Sequence, residues 1–141
     1  MRRSRRTALL ASAAAAGIAV AGCGSEDFPN DPRPPAPIEL TAKVDDRKVI
    51  VSPVEFDGEP VGAGLANVTI ANLTDEGTEL TFAGPDRDWT TNPIVANGVL
   101  EYKLNLAPGN YIVSAEDDAV RPMEFEVGPE RPSAQNDLLL P

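Results

Sequence analysis

One thiol, one indole and a few clustered carboxylates are the side chains here that can do chemistry. The thiol is Cys23, the only cysteine in 141 residues. It follows the small residues Ala21 and Gly22, which leave the adjoining peptide bond open to a peptidase and the sulfur open to acylation. The indole is Trp89, in the run Asp86-Arg87-Asp88-Trp89. As an interaction surface, Asp86, Asp88 and Trp89 would stack on a sugar or anchor a partner protein. Two aspartates at i and i+2 also suit calcium, but the glycine and the distal bidentate glutamate of a recognisable loop are missing. The preferred reading is blander: Trp89 turns back as the apolar pin of a long loop, with its acids solvated. Glu116-Asp117-Asp118 brings three carboxylates together. Paired carboxylates hydrolyse glycosides, but consecutive residues at a strand end point apart, and seven aromatic residues leave little for a sugar platform. That run reads as a polar turn.

The residues around Cys23 form a consistent layout. Arg2, Arg3, Arg5 and Arg6 precede a charge-free, Ala-rich run from Thr7 to Gly22. A basic head, an apolar stretch and a small-residue cut are the parts of a secretion signal. Val20-Ala21-Gly22-Cys23 resembles a lipobox, in which the cysteine is diacylated and becomes the new N-terminus. The apolar run is too short and too rich in alanine to span a bilayer, which takes about 20 apolar residues. A secreted chain with a free thiol is the other reading, and acylation accounts for the thiol, the arginines and the small residues together. Ser4-Arg5-Arg6-Thr7-Ala8-Leu9 also resembles a twin-arginine export signal, without its usual aromatic; the general secretory route stays open beside it.

Composition narrows the chemistry of what remains. Removal of residues 1–22 leaves 8 Lys+Arg against 22 Asp+Glu, a charge of −14 on 119 residues. Such a surface repels phosphate backbones, so no nucleic-acid partner is expected. The chain has no histidine. Ser-His-Asp and Cys-His mechanisms therefore lack their base, and zinc or copper lacks its preferred ligands. No catalytic residues, cofactor or metal site are expected. With Cys23 acylated no disulfide is available, so a hydrophobic core must hold the domain.

Residues 24–37 carry five prolines and read as an acidic spacer after the lipidated Cys23. In polyproline II form, at about 3.1 Å per residue, it lifts a domain roughly 40 Å from a membrane. From Ile38 the pattern turns to period two: Ile38, Leu40, Ala42 and Val44 alternate with Glu39, Thr41, Lys43 and Asp45. Asp45-Asp46-Arg47 turns into Lys48–Val54, and Gly58, Pro60, Gly62 and Gly64 then interrupt the chain. Leu65–Leu73 alternates again, Thr74-Asp75-Glu76-Gly77 reads as a hairpin turn, and Thr78–Ala83 as its partner. Gly84–Gly98 reads as irregular. Val99–Leu106 and Tyr111–Ala115 are strands on either side of a Pro108-Gly109 turn, and Met123–Val127 is the last. Asn67-Val68-Thr69 and Asn72-Leu73-Thr74 match a glycosylation sequon and are treated as ordinary strand residues. The expectation is a small antiparallel β-sandwich of about seven strands over 38–127. Its core draws on Leu40, Val49, Val51, Val68, Ile70, Leu80, Phe82, Leu104, Leu106, Tyr111, Val113, Phe125 and Val127. Residues 128–141 read as a flexible tail, in which Leu138-Leu139-Leu140 pack either on the domain or on a partner.

Three stretches resemble a cupredoxin-like domain: Asn67-Val68-Thr69-Ile70-Ala71-Asn72, Thr78-Glu79-Leu80-Thr81-Phe82, and Leu104-Asn105-Leu106-Ala107-Pro108-Gly109-Asn110-Tyr111. Most of residues 38–127 follows the scheme. Transthyretin-like and carboxypeptidase-associated domains share the Leu-x-Pro-Gly-x-Tyr corner. The resemblance implies a Greek-key sandwich and withholds the activity. Ala115 stands where the copper thiolate would be, no histidine accompanies it, and only Met123 mimics an axial ligand. As a whole the chain resembles actinobacterial lipoproteins of unknown function.

The sequence thus points to a non-catalytic lipoprotein on the extracytoplasmic face of the cell membrane. Its sandwich would meet an envelope protein or a glycan. A degenerate cupredoxin with a residual metal-handling or redox-accessory role is the alternative. A hydrolase is third, for want of a base and a nucleophile motif.

Overall fold

The computed structural model describes residues 33–133. Cys23, the residues before it and the tail leucines lie outside that range. Ten strands follow in order: β1 (Ile38–Val44), β2 (Val49–Ser52), β3 (Glu55–Phe56), β4 (Glu59–Pro60), β5 (Gly62–Asn72), β6 (Leu80–Ala83), β7 (Asp88–Thr90), β8 (Val99–Leu106), β9 (Gly109–Ala115) and β10 (Met123–Glu130). Among the described residues there is no helix.

Strand pairing builds two four-stranded layers. The first runs β2-β1-β5-β8 and the second β10-β9-β6-β7, and they join where the start of β5 pairs with β10. The sheet is mixed, since β5 runs parallel to both β1 and β10. A small hairpin, β3-β4, stands apart, and β5 begins just after it, so the glycine-rich interruption holds more structure than its composition suggests.

Alternation explains the core. Leu40, Ala42 and Val44 face inward from β1, Leu104 and Leu106 from β8, and Tyr111 and Val113 from β9. Each large apolar side chain removed from water contributes about 1.5–3 kcal/mol, which a chain without a disulfide depends on. All of the side chains expected inside are buried; the most open, Phe125, is 7% exposed.

β5 changes phase along its length. Ala63 is buried, Leu65 exposed, and Ala66, Val68 and Ile70 buried again. The slip falls at Gly64, whose φ of +121° is open to glycine and costly for other residues. There the strand leaves β10 and enters the first layer. Arg131 lies across this bend. Its Nε donates to the Ala63 carbonyl at 3.1 Å, its Nη2 to Leu65 at 2.9 Å and its Nη1 to Ala36.

Three local expectations change. The last strand runs on to Glu130, three residues into the expected tail. Thr74–Gly77 does not close a hairpin, because β5 pairs with β1, β8 and β10, while β6 lies in the other layer beside β9 and β7. Period two reports a strand but not its neighbour. Gly84–Gly98 is not wholly irregular either: β7 pairs Thr90 with Thr81 and Trp89 with Phe82. The Pro108-Gly109 corner joins β8 in one layer to β9 in the other. Tyr111 braces it by accepting the Ala107 N–H at its hydroxyl, at 2.9 Å.

Candidate functional site

β1 runs from one end of the sandwich to the other, and several of the clustered acids meet where it ends. A cleft of about 570 Å³ opens there, lined by Val44, Asp46, Thr74–Thr78, Glu116, Asp117 and Val120. Asp46 comes from the β1-β2 turn, Asp75 and Glu76 from the chain leaving β5, and Glu116 and Asp117 from the chain leaving β9.

Asn72 builds one wall. It is wholly buried, and its Nδ2 faces the carbonyls of Glu76 at 2.7 Å, Val95 at 3.1 Å and Ile94 at 3.2 Å. Its Oδ1 accepts the Thr74 N–H at 3.0 Å and lies 2.8 Å from the Thr74 hydroxyl. A side-chain amide can satisfy several main-chain groups at once, so it helps turn the chain away from a hairpin, beside the isolated Thr78–Ile94 bridge. The other wall is tied by main chain: Arg121 donates to the Arg47 carbonyl at 2.8 Å, and Val49 to Arg121 at 2.9 Å. Asp45 accepts the Arg47 and Lys48 N–H groups on Oδ1, at 2.8 and 2.9 Å. Those two bonds, Arg47 first, hold its carboxyl below the ordinary value of 3.8. Asp117 makes a similar turn, accepting the Ala119 N–H at 2.8 Å.

The acids surround the cleft without converging. Among the described residues no group of three or more His, Cys, Asp or Glu side chains is arranged to hold a metal ion. Glu116-Asp117-Asp118 is a polar turn, as its spacing suggests, but its first two carboxylates share the cleft with Asp46, Asp75 and Glu76. The sequence reading missed that meeting. Each acid pair sits in a separate turn, and only strand direction brings the turns together.

Asp86, Asp88 and Trp89 lie elsewhere, around β7. Asp86 and Asp88 are exposed, while Trp89 is half-buried and packs against the core. The Arg87 guanidinium carbon sits 4.0 Å from the centre of the indole and covers its outer face. A stacking ligand would have to displace Arg87. Met123 does not point into a ligand set: its sulfur accepts the Val51 N–H at 2.9 Å.

The class follows from the strand pairing itself: an all-β sandwich of two four-stranded layers joined through β5. No family model matches the chain, and no curated protein matches it. The solved structures similar to it include two of low identity. A multicopper oxidase shares 17% identity with a TM-score of 0.45, over 68% of this chain and 46% of its own. Lac15 from a marine microbial metagenome shares 17% with a TM-score of 0.42, over 69% and 33%. The chain therefore spans less than half the length of either.

Proposed function

We propose that the protein is a lipid-anchored, non-catalytic lipoprotein of the cell envelope whose β-sandwich meets its partner at the end remote from the anchor. The observation that carries this reading is the direction of β1. The spacer reaches the domain at Ile38, and β1 ends at Val44 on the cleft, about 20 Å away at the usual strand rise. Lipidation of Cys23 would hold the starting end toward the membrane and leave the cleft facing outward. The lack of histidine and of any nucleophile motif supports a binding role over catalysis. The cupredoxin-like resemblance stays a reading of the fold; engagement of Met123 by Val51 counts against residual copper handling.

The test has two arms. Cys23→Ala should move the protein from the membrane to the soluble fraction, and mass spectrometry of the native protein should find a diacylated Cys23 at its N-terminus. Photo-crosslinking residues placed at Glu76, on the cleft, and at Asp57, on the β3-β4 hairpin, should capture a partner from the first position only. An unmodified N-terminus would remove the anchor, and equal capture at both positions would remove the outward-facing cleft.

A further inference from the structure

An edge strand offers a row of unpaired N–H groups to any passing chain, and proteins cover or remove them. β2 is such an edge, and its outward donors can be followed one by one. Val49 donates to the Arg121 carbonyl at 2.9 Å. Val51 is two residues on and so faces the same side; it donates to the Met123 thioether, also at 2.9 Å. The next position in that phase is Pro53, which has no N–H. A weak sulfur acceptor thus stands where a carbonyl stands one step earlier. Val51 is a core residue, 2% exposed, so its N–H has little water to fall back on.

Among the described residues Met123 is also the side chain most open to oxygen transfer. Apart from Met1 it is the only methionine, and Cys23 is the only other sulfur. Its side chain is only half-buried, so a small oxidant can approach it. We propose that Met123 is a sulfoxidation site for hydroperoxides and that its oxidation unseals the outer edge of β2. In that step a sulfur lone pair takes the terminal oxygen of the peroxide. The S–O bond forms as the O–O bond breaks, sulfur loses two electrons, and the other oxygen leaves as water or alcohol with the remaining proton. A nitrogen–sulfur separation of 2.9 Å leaves no space for an oxygen between the atoms. The sulfur must therefore move out of line, and the Val51 N–H loses the thioether acceptor it has now. This inference rests on neither the anchor nor the cleft.

The experiment treats the full-length protein with hydrogen peroxide under native conditions. Peptide mass spectrometry should place one added oxygen on Met123. Amide exchange at Val51 should then quicken about tenfold, the change expected for the net worth of one hydrogen bond. The melting temperature should fall, and Met123→Leu should make it insensitive to peroxide. Three results overturn the proposal: Met123 stays reduced at doses that oxidise free methionine, it gains oxygen while Val51 exchange is unchanged, or Met123→Leu melts lower after peroxide just as the parent does. The exchange measurement on the parent protein stands even if the leucine variant fails to fold.

Discussion

The ring of Tyr111 occupies the space that a side chain on Gly84 would need. A Cβ built on Gly84 would sit 2.4 Å from Tyr111 Cε1 and 2.7 Å from Cζ, inside any real contact distance. The same ring stacks on Phe125 at 5.6 Å and braces the corner at Ala107 through its hydroxyl. It has no room to retreat. Gly84→Ala should therefore destabilise the domain by about 1–3 kcal/mol, the usual cost of overpacking. Tyr111→Phe, which keeps the ring and strands the Ala107 N–H, should cost about 1–2 kcal/mol. Denaturant melts of both variants check this, and a Gly84→Ala protein as stable as the parent would show that the ring can shift.

Asn72 should be hard to replace with any apolar residue of its size. Asn72→Leu fills the space but leaves the carbonyls of Glu76, Ile94 and Val95 without its amide. The Ile94 and Val95 carbonyls keep the Thr78 and Gly98 N–H groups, so the expected loss is about 1–3 kcal/mol, centred on the Glu76 carbonyl and the Thr74 N–H. The discriminating readout is local: amide exchange should quicken at Thr74 and Thr78 before the rest of the sandwich responds. Uniform loosening would mean that Asn72 supports the core in general rather than the cleft wall.

Two groups set opposite limbs of the pH profile. The folded pKa of Asp45 lies below its ordinary 3.8, so its bonds to Arg47 and Lys48 add stability above that pH and lose it as the pH falls through the folded value. Asp45→Asn keeps an acceptor without a titrating proton and should flatten that part of the acid limb. Tyr111 is displaced the other way, its pKa raised above 10.0 chiefly by burial. Its contribution is whole below pH 10 and fades as the pH rises through the folded value, so Tyr111→Phe should flatten part of the alkaline limb. Thermal melts across pH for the parent and both variants test the signs; parallel curves would contradict them.

Much of this fold is legible from side-chain alternation, and the reasons for its limits are physical. Leu40, Val68, Phe82 and Val113 each sit in a run whose period of two matches the pleat, so burial follows from local spacing. Trp89 also lies against the core, which its place in a long polar loop suggests. The partner of β5 was not legible, because a hairpin and a crossover begin with the same turn residues, and the choice rests with the buried Asn72 amide and the Thr78–Ile94 bridge. β7 is three residues long, too short to show a period. The cleft was hidden for a third reason: Asp46, Glu76 and Asp117 come together only once β1, β5 and β9 are known to end on the same side.

Arg131 should prove the main support of the bend in β5. Arg131→Ala removes donors from Ala63, Leu65 and Ala36 together, and about 2–3 kcal/mol should be lost, given the exposure of part of the cluster. Lysine should recover little, since it brings a point charge where a planar fork reaches three carbonyls. Gly62 and Gly64 belong to the same unit: a Cβ on Gly62 would fall 2.4 Å from Arg131 Cγ, and one on Gly64 2.9 Å from Nη2. A double-mutant cycle of Arg131→Ala with Gly62→Ala should be strongly non-additive, the alanine being tolerated better once the arginine is gone. Additive losses would separate the two features.

The turns around the cleft are joined to one another, and that gives its mouth a sensitivity to salt. Thr78 and Ile94 exchange main-chain bonds at 3.0 and 2.8 Å, and Asn97 donates to Thr74 at 3.2 Å, so these turns move as one lip. The Arg121 N–H donated to Arg47 and the Val49 N–H donated to Arg121 tie a second lip, and the Leu73 N–H donating to Val44 at 2.8 Å joins the two at the base. Asp75 and Glu76 stand on one lip, Asp46 and Asp117 on the other. Like charges facing across a gap push it open in dilute buffer and release it once ions screen them, over a Debye length of about 8 Å at physiological strength. If that repulsion outweighs the main-chain ties, the mouth should narrow as ionic strength rises. Spin labels at Gly77 and Ala119 should draw closer as salt is added, and a distance that ignores salt would show the lips to be rigid.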